Sequence, residues 1–446
     1  MAIDEIKRAI LEAHRNPNSL ESEKLTKFEG TIEAWAISAQ LLHDASPDTK
    51  AQGLFRFFGA RMIYNKIQRD SDQLDSNGIA GFMQGLVQHI ITLSQLPQIE
   101  TAVYRYVCLS IAAMAIQINH PGVVRSILQW LNPLLASAPH IVVLFLSLLP
   151  EESENGRIKV SNDQRKAFEH QLTDSFEEVM GFLESQWVAS NELNRNYILQ
   201  CATNWIEFTH ITPEKLIQQP MYSIMLDCLA VKELFISAAK SIHTAFYSFT
   251  EDKSLSVLLE MSLPRILALC ATWKSIAVDR SELDSELAKD ICYELSRLFS
   301  VVAESSLELM LTPNSNFGQI GIIEQLLECC RYEHENKTST YPLKFFFMLQ
   351  ERILDGMDSV VADEKAFFTH ARSIYQPYFA HLIDISLDKC MMEESIFVVE
   401  SEDNDDLALK DDDNAYNPFS NFDDYIDISP DTKVAFSDNQ LHQKKP

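Results

Sequence analysis

Amphipathic helical patterns follow one another along most of this 446-residue chain, and no apolar–polar alternation long enough for a β-strand interrupts them. The pattern is clearest at residues 33–74, where two helices flank a short break. Pro47 cannot continue the first helix, and Ser46 and Asp48 favour a turn or a new N-cap. A hairpin of two helices cannot bury all its apolar faces alone, so we expect further helices to stack against it.

The helices recur in pairs of about 40 residues, the period typical of HEAT repeats. Glycine is scarce, at 12 residues, whereas sheet proteins with many tight turns usually need more. We therefore predict an all-α fold: a HEAT-repeat-like, right-handed superhelical solenoid of antiparallel helix pairs. The predicted division is N-terminal helical repeats at 1–150, further HEAT-like repeats at 151–392 and an acidic disordered C-terminal tail at 393–446.

Local signals predict several helix boundaries. Ser161 and Gln164 have the spacing of a capping box, and Thr212-Pro213 fits an N-cap followed by proline at the first helical position. A polar loop is expected at residues 150–160. Single helices are predicted at residues 1–14, 214–229, 254–276 and 365–387.

The charge balance restricts the partners. The net charge is −27, which argues against direct nucleic-acid binding through a general basic surface and leaves open only a local basic stripe. Residues 393–446 hold 15 acidic residues against four lysines, and their composition is typical of disorder. The rest of the chain is still acidic, which suits solubility or basic partners. Within the tail, Asn417-Pro418-Phe419 resembles a short ligand of endocytic adaptor domains, a three-residue match that arises often by chance.

Cysteine usage and the N-terminus indicate a reducing compartment, the cytosol or nucleus. Most of the eight cysteines lie in apolar helical patterns, as buried free thiols do, and no C-x-x-C pair occurs. The first residues form a charged amphipathic pattern rather than a signal peptide. The longest apolar run, residues 134–149, contains Pro139 and is too short for a membrane helix, so no membrane insertion is expected.

No catalytic constellation or cofactor motif is found, and we expect neither an enzyme nor a bound cofactor. The chain lacks a phosphate-binding glycine loop, a nucleophile elbow and a His-Glu-x-x-His sequence. Cys329, Cys330 and His334 do not have the spacing of a zinc site, and a buried thiol pair is favoured over a metal site there.

Three stretches resemble the importin-β-type karyopherins. Residues 34–42 (AWAISAQLL) look like the tryptophan-bearing helix near the start of that family, and residues 58–68 (FGARMIYNKIQ) are similar to its next helix. Gly59 and Arg61 depart from the alanine and glutamine usual there. Residues 146–152 (LSLLPEE), followed by Arg157 and Ile158, resemble the transportin-SR and importin-thirteen branch.

This resemblance implies a nuclear transport receptor that shuttles between cytoplasm and nucleus. In the family, N-terminal repeats hold the GTP form of the GTPase Ran, the superhelix wraps protein cargo, and grooves between outer helices take phenylalanine-glycine nucleoporins. Members of this branch are much longer than this chain, and much of their surface for Arg-Ser-rich cargo lies further along. A shortened form, a divergent paralogue and an incomplete gene model are all consistent with that difference.

Basic residues in an acidic chain are the candidate contacts. On the resemblance, Arg56, Arg61, Lys66, Arg69 and the more distant Arg105 are predicted to contact Ran. An ordinary solvated helix face explains the same residues equally well. Two further cations in the loop after Pro150, Arg157 and Lys159, are partner-loop candidates, although solubility alone would also account for them. The alternative function is a static HEAT scaffold or adaptor for a multiprotein complex without GTPase binding.

Overall fold

A computed structural model describes residues 2–96, 101–118, 120–250, 254–278, 286–311, 319–332 and 336–393. All regular secondary structure within these ranges is helical, with one short 3-10 helix at Ser71–Gln73. The α-helices are α1 Ile3–Arg15, α2 Leu20–Glu29, α3 Glu33–Leu42, α4 Thr49–Asp70, α5 Ser76–Leu93, α6 Thr101–Ile118, α7 Val123–Ser137, α8 Pro139–Ser153, α9 Asn162–Ala189, α10 Glu192–Phe208, α11 Pro213–Ile217, α12 Pro220–Cys228, α13 Phe235–Ser248, α14 Leu255–Ala268, α15 Cys270–Val278, α16 Glu286–Met310, α17 Gln319–Cys330, α18 Asn336–Thr340, α19 Leu343–Met357 and α20 Ala362–Glu393.

The described chain forms two compact units, and the boundary between them falls inside α9, after Ser175. In the first unit, α4, α6 and α8 pack side by side as one layer. Helices α3, α5 and α7 supply the other layer, and α1 packs on both α2 and α4. Helix α4 is the centre of this unit, because α1, α3 and α6 all pack against it.

The second unit repeats the arrangement. Helices α10, α13 and α16 pack in series, and α12, α14 and α17 pack against members of that row. Helix α20 packs on α17 and α19 and is the last helix described. Alternate helices therefore form two layers in each unit, as expected of a helical-repeat fold. The handedness of the superhelix and the three-part division at 150 and 392 stay predictions.

Several predicted caps are confirmed. Asp48 accepts hydrogen bonds from the backbone N–H groups of Lys50 and Ala51 at the start of α4. In the capping box before α9, the Gln164 backbone donates to Ser161 Oγ and the Ser161 backbone donates to Gln164 Oε1. Thr212 caps α11, with Pro213 at its first position.

Other predicted boundaries are wrong. A second helix, α2, follows the first, with Ser19 as its N-cap. The loop expected from Pro150 begins only after Ser153, because α8 continues through the proline. The helix predicted at 214–229 is broken before Pro220 into α11 and α12, and that at 254–276 is interrupted at Leu269. Helix α20 extends beyond both ends of the predicted 365–387.

By length and composition alone, two stretches are apolar enough to cross a membrane: α6, and Leu255–Lys274. Helix α6 packs against α4, α5 and α8, and most of it is buried. The expectation of no membrane insertion stays a prediction.

Residues 394–446 lie outside the described residues, so the predicted disorder of the tail is not tested. His334 also lies outside the described residues. Cys329 and Cys330 are buried free thiols, in agreement with the interpretation favoured above.

Candidate partner-binding site

Lys66 lies at the centre of a buried polar network inside the first unit. Its side chain is fully buried, and its ammonium donates to the carbonyl oxygens of Glu29 and Thr31 at 3.1 and 2.9 Å. It also lies 3.0 Å from a carboxylate oxygen of Asp70 and 5.0 Å from the centre of the Trp35 ring. These carbonyls lie at and just beyond the C-terminal end of α2, where orphan acceptors and the helix dipole favour a cation.

Gln73 connects this network to the indole of Trp35. Its Oε1 accepts from Trp35 Nε1 at 3.0 Å and from Lys66 Nζ at 3.2 Å. Trp35 and Lys66 belong to two of the stretches that carry the family resemblance. Their shared network fixes how α3 packs on α4, so in this fold these residues have a structural role.

Arg56 has a similar role at the end of α3. It is buried, and its Nε and Nη2 atoms donate to the Asp44 carbonyl oxygen at 3.1 and 2.8 Å. The Asp44 carboxylate forms an ion pair with Lys7 on α1. Burial by itself would raise the pKa of Asp44, but hydrogen bonds from Lys7 and Ser46 outweigh it and lower that pKa. Arg56 thus holds the α3–α4 turn rather than facing solvent.

The remaining predicted GTPase contacts differ in exposure. Arg61 is buried, with its guanidinium 5.2 Å from the centre of the Phe58 ring, and Arg105 is half-buried on α6. Arg69 is 47% exposed and pairs with the buried Glu29 carboxylate at 2.9 Å. Of the four cations predicted on α4, only Arg69 therefore presents a large part of its side chain to solvent. The GTPase-binding role of all five residues stays a prediction.

The structure brings the two predicted basic groups together. Lys159, in the loop after α8, donates to the carbonyl oxygen of Arg69 at 2.6 Å. The last turn of α8, just before this loop, is tied to α4 by Tyr64, which donates to the Glu152 carboxylate at 2.8 Å. Asn155 completes this contact by donating to Glu152 at 2.9 Å. Arg69, Arg157 and Lys159 together are called the basic edge below, and all three are solvent-accessible.

Sequence reasoning did not single out Tyr64, Glu152 or Asn155 as site residues. Glu152 was quoted only within the Leu-Pro-Glu-Glu resemblance. A buried carboxylate next to a tyrosine hydroxyl is a tertiary feature, since the two residues are 88 positions apart. The structure shows that this carboxylate anchors the basic loop.

The Glu152→Gln substitution is expected to change how stability depends on pH. Burial raises the pKa of Glu152 from 4.5 to about 7, although hydrogen bonds from Tyr64 and Asn155 oppose the shift. The folded state then binds the proton more tightly than the unfolded chain, so this group lowers stability as pH rises from about 4.5 to about 7. Glutamine removes that loss, which is at most about 3 kcal/mol.

Urea unfolding of both proteins at pH 5 and pH 8 measures the effect. The variant should gain stability relative to the natural chain at the higher pH. Glu151→Gln, which changes the exposed neighbouring carboxylate, should show no such gain. If the variant and the natural chain differ in free energy of unfolding by the same amount at pH 5 and pH 8, the raised pKa of Glu152 is contradicted.

A second candidate site is a cleft within the second unit. It has a volume of about 260 Å³ and lies where the end of α9 and the start of α10 meet α12 and the turn that follows α12. Its lining residues are Trp187, Arg195, Ile224, Asp227, Cys228, Val231 and Leu234. The Arg195 guanidinium lies 5.0 Å from the centre of the Trp187 ring. The cleft is apolar and aromatic with one charge of each sign, a composition suited to an apolar side chain of a peptide.

Stacked antiparallel helix pairs in two layers define a HEAT-like helical-repeat protein, and the predicted all-α class is confirmed. A solved structure described as importin13 in its cytosolic state has the same fold, with a TM-score of 0.50 over 78% of this chain and 44% of that chain, at 15% identity. The model of a family described as exportin 1-like protein matches residues 100–242.

Two curated relatives extend the match. Transportin MOS14 of Arabidopsis thaliana is 25% identical over 385 residues, which cover 81% of this chain and 37% of that protein. The mRNA transport regulator MTR10 of Saccharomyces cerevisiae is 23% identical over 345 residues, covering 72% of this chain and 34% of that protein. These matches support a similarity to the importin-β-type karyopherins, transportin branch. The chain spans about a third of the length of the curated relatives it matches.

Proposed function

We propose that this chain acts as a nuclear transport receptor: it binds Ran-GTP through its first unit and carries protein cargo through the nuclear pore. The observation that carries this proposal is the match to a transportin over 81% of the chain. Both curated relatives are named for transport. The proposed location is accordingly the cytoplasm and nucleus, with passage between them.

The basic edge is the part of the predicted GTPase surface that a partner can reach. Arg157 and Lys159 are exposed, and Lys159 is held against the end of α4 by its bond to the Arg69 carbonyl. Arg56 and Lys66 support this surface indirectly, by fixing the contacts among α2, α3 and α4.

Ran-GTP and cargo would bind the same chain with unfavourable coupling, so the binding of Ran-GTP would release the cargo. The acidic chain suits basic cargo, including Arg-Ser-rich proteins.

Calorimetric titration with Ran in its GTP and GDP forms tests this proposal. A clear preference for the GTP form is expected. The double substitution Arg157→Glu/Lys159→Glu should weaken that binding roughly tenfold or more, because it reverses two exposed charges at the contact. Lys232→Glu, an exposed charge reversal in the second unit, is the matched control. If the folded protein binds neither form, or binds both equally, the static scaffold without a GTPase partner is the better function.

The cleft at Trp187 is the proposed site for phenylalanine-glycine nucleoporins. Its volume of about 260 Å³ is larger than the roughly 150 Å³ of an apolar protein cavity that binds benzene. Trp187 and Ile224 offer the apolar contact, and Arg195 and Asp227 contribute polar groups to the lining.

The Trp187→Ala substitution is expected to weaken binding of a peptide with several phenylalanine-glycine repeats about tenfold, which corresponds to about 1.4 kcal/mol. Fluorescence anisotropy of the labelled peptide measures this. Tyr197→Ala removes an aromatic side chain that is 49% exposed on α10 but does not line the cleft, and it should leave the affinity unchanged. Equal losses for both variants would rule out a specific role of the cleft.

A further inference from the structure

Ser161 lies exposed in the loop between α8 and α9, two residues after Lys159 of the basic edge. Its hydroxyl donates to Gln164 Oε1 at 3.1 Å and accepts from the Gln164 backbone N–H at 3.2 Å. The residues that follow it, Asn162 and Asp163, are exposed as well. An enzyme that modifies this hydroxyl can therefore reach it at the surface of the folded first unit.

The residues before Ser161 carry two cations of the basic edge. Arg157 precedes the serine by four positions and Lys159 by two, and both are exposed. Protein kinases with acidic substrate grooves select serines that follow arginine or lysine in this way, because opposite charges across the contact attract. Residues 159–161 have no regular secondary structure, which suits the extended conformation in which a kinase holds its substrate. The sequence pattern had identified Ser161 only as a helix cap.

We propose that Ser161 is a phosphorylation site for a kinase that selects basic sequences, and that the phosphate switches off the basic edge. In the transfer, Ser161 Oγ forms a bond to the γ-phosphorus of ATP, and the bond from that phosphorus to the oxygen shared with the β-phosphate breaks. ADP leaves, and the hydroxyl proton passes to the catalytic aspartate of the kinase. The modification site does not depend on the proposed transport function, whereas the switching of Ran binding rests on it.

The phosphate would cancel most of the positive charge of the basic edge. It adds about −1.5 to −2 charges at pH 7, against the three cations Arg69, Arg157 and Lys159. Two residues of extended chain span at most about 7 Å, so the modified serine lies within about one Debye length of the Lys159 backbone. An acidic partner surface that the three cations attract would then meet little net charge.

The fold can accept this phosphate without losing the loop. Ser161 directly precedes α9, and the free N–H groups and the dipole at the start of a helix favour an anion. A phosphate oxygen can accept from the Gln164 backbone N–H in place of the hydroxyl. The loop is anchored elsewhere, because Ile158 is only 2% exposed and Tyr64 holds the last turn of α8. The phosphorylated chain is therefore expected to stay folded.

Kinase treatment of the folded full chain tests the modification site. The chain is incubated with ATP and protein kinase C, which selects basic residues near the serine, and the phosphate is located by mass spectrometry. Modification of Ser161 is expected, and Lys159→Ala should slow it about tenfold. Lys166→Ala is the matched control, because it removes an exposed cation five positions after the serine, and it should leave the rate unchanged. Absence of phosphate at Ser161, or equal rates for the two variants, would overturn the proposal.

Calorimetric titration with Ran-GTP tests the switch. Phosphorylation should weaken binding by the natural chain about tenfold, and the same kinase treatment should leave the affinity of Ser161→Ala unchanged. Undiminished binding by chain phosphorylated at Ser161, or an equal loss in the treated Ser161→Ala chain, would overturn the switch alone. If the unmodified chain does not bind Ran-GTP, the proposed function is wrong and the switch with it. Mass spectrometry would still decide whether Ser161 is the modification site.

Discussion

Replacing Lys66 by methionine is expected to destabilise the folded chain by about 3–5 kcal/mol. The ammonium is fully buried and lies 3.0 Å from Asp70, within reach of two carbonyl oxygens at the end of α2. Methionine has a similar volume but no donor, so these acceptors would lose the partner that the fully buried ammonium supplies. The cation–π interaction between Lys66 and the Trp35 ring would also be lost.

Chemical unfolding followed by circular dichroism measures this loss. Lys24→Met is the control, because Lys24 forms an ion pair with Glu21 in which the two side chains are 47% and 32% exposed. It should change stability by less than about 1 kcal/mol. Equal effects of the two substitutions would show that the buried network contributes no more than a surface ion pair.

The succession of helices could be predicted from sequence because it depends on local signals. The apolar spacing, the proline at 47 and the caps at Asp48, Ser161 and Thr212 each act within a few residues. The errors occurred where local signals were ambiguous. Pro150 was taken as the end of α8, yet the helix continues for another three residues. The short α2 was missed although Ser19 precedes it as an N-cap.

The site was harder to predict because charge on a helix does not reveal where the helix packs. The cations of α4 were assigned to a partner surface or to solvent, yet Arg56, Arg61 and Lys66 are buried. Helix α4 is surrounded by α1, α3 and α6, so its long basic side chains reach inward. Arg56 and Lys66 bond carbonyl groups beyond the ends of α3 and α2, which lie at least 12 positions away in sequence.

The contact between Lys159 and Arg69 also could not be predicted from the sequence. The two residues are 90 positions apart, and the sequence placed them in separate groups of candidates. What joins them is the bond from Tyr64 to Glu152, whose carboxylate the surrounding helices bury. Only the packing of α4 against the end of α8 reveals that the two groups form one edge.

Substituting Gly59 by alanine is expected to destabilise the first unit by about 3 kcal/mol, at the upper end of the cost of overpacking. A Cβ atom at this position would lie 2.7 Å from the carbonyl oxygen of Ser38 and 2.9 Å from the backbone nitrogen of Leu42. Both atoms belong to the α3 backbone, so no change of side-chain rotamer can relieve the contact. Helices α3 and α4 would have to separate, which would also disturb the contact of Trp35 with Lys66.

Gly85→Ala is the matched control for this substitution. Gly85 also lies inside a helix, α5, but a Cβ atom there would meet nothing within 4 Å. Alanine should therefore stabilise the chain by about 0.5–1 kcal/mol, since it restricts the unfolded state and favours helix. Opposite signs in chemical unfolding would establish that α3 and α4 touch at Gly59. A stabilising Gly59→Ala would instead mean that the two helices leave room for a side chain. The glycine that departs from the usual family residue at this position would then have no packing role.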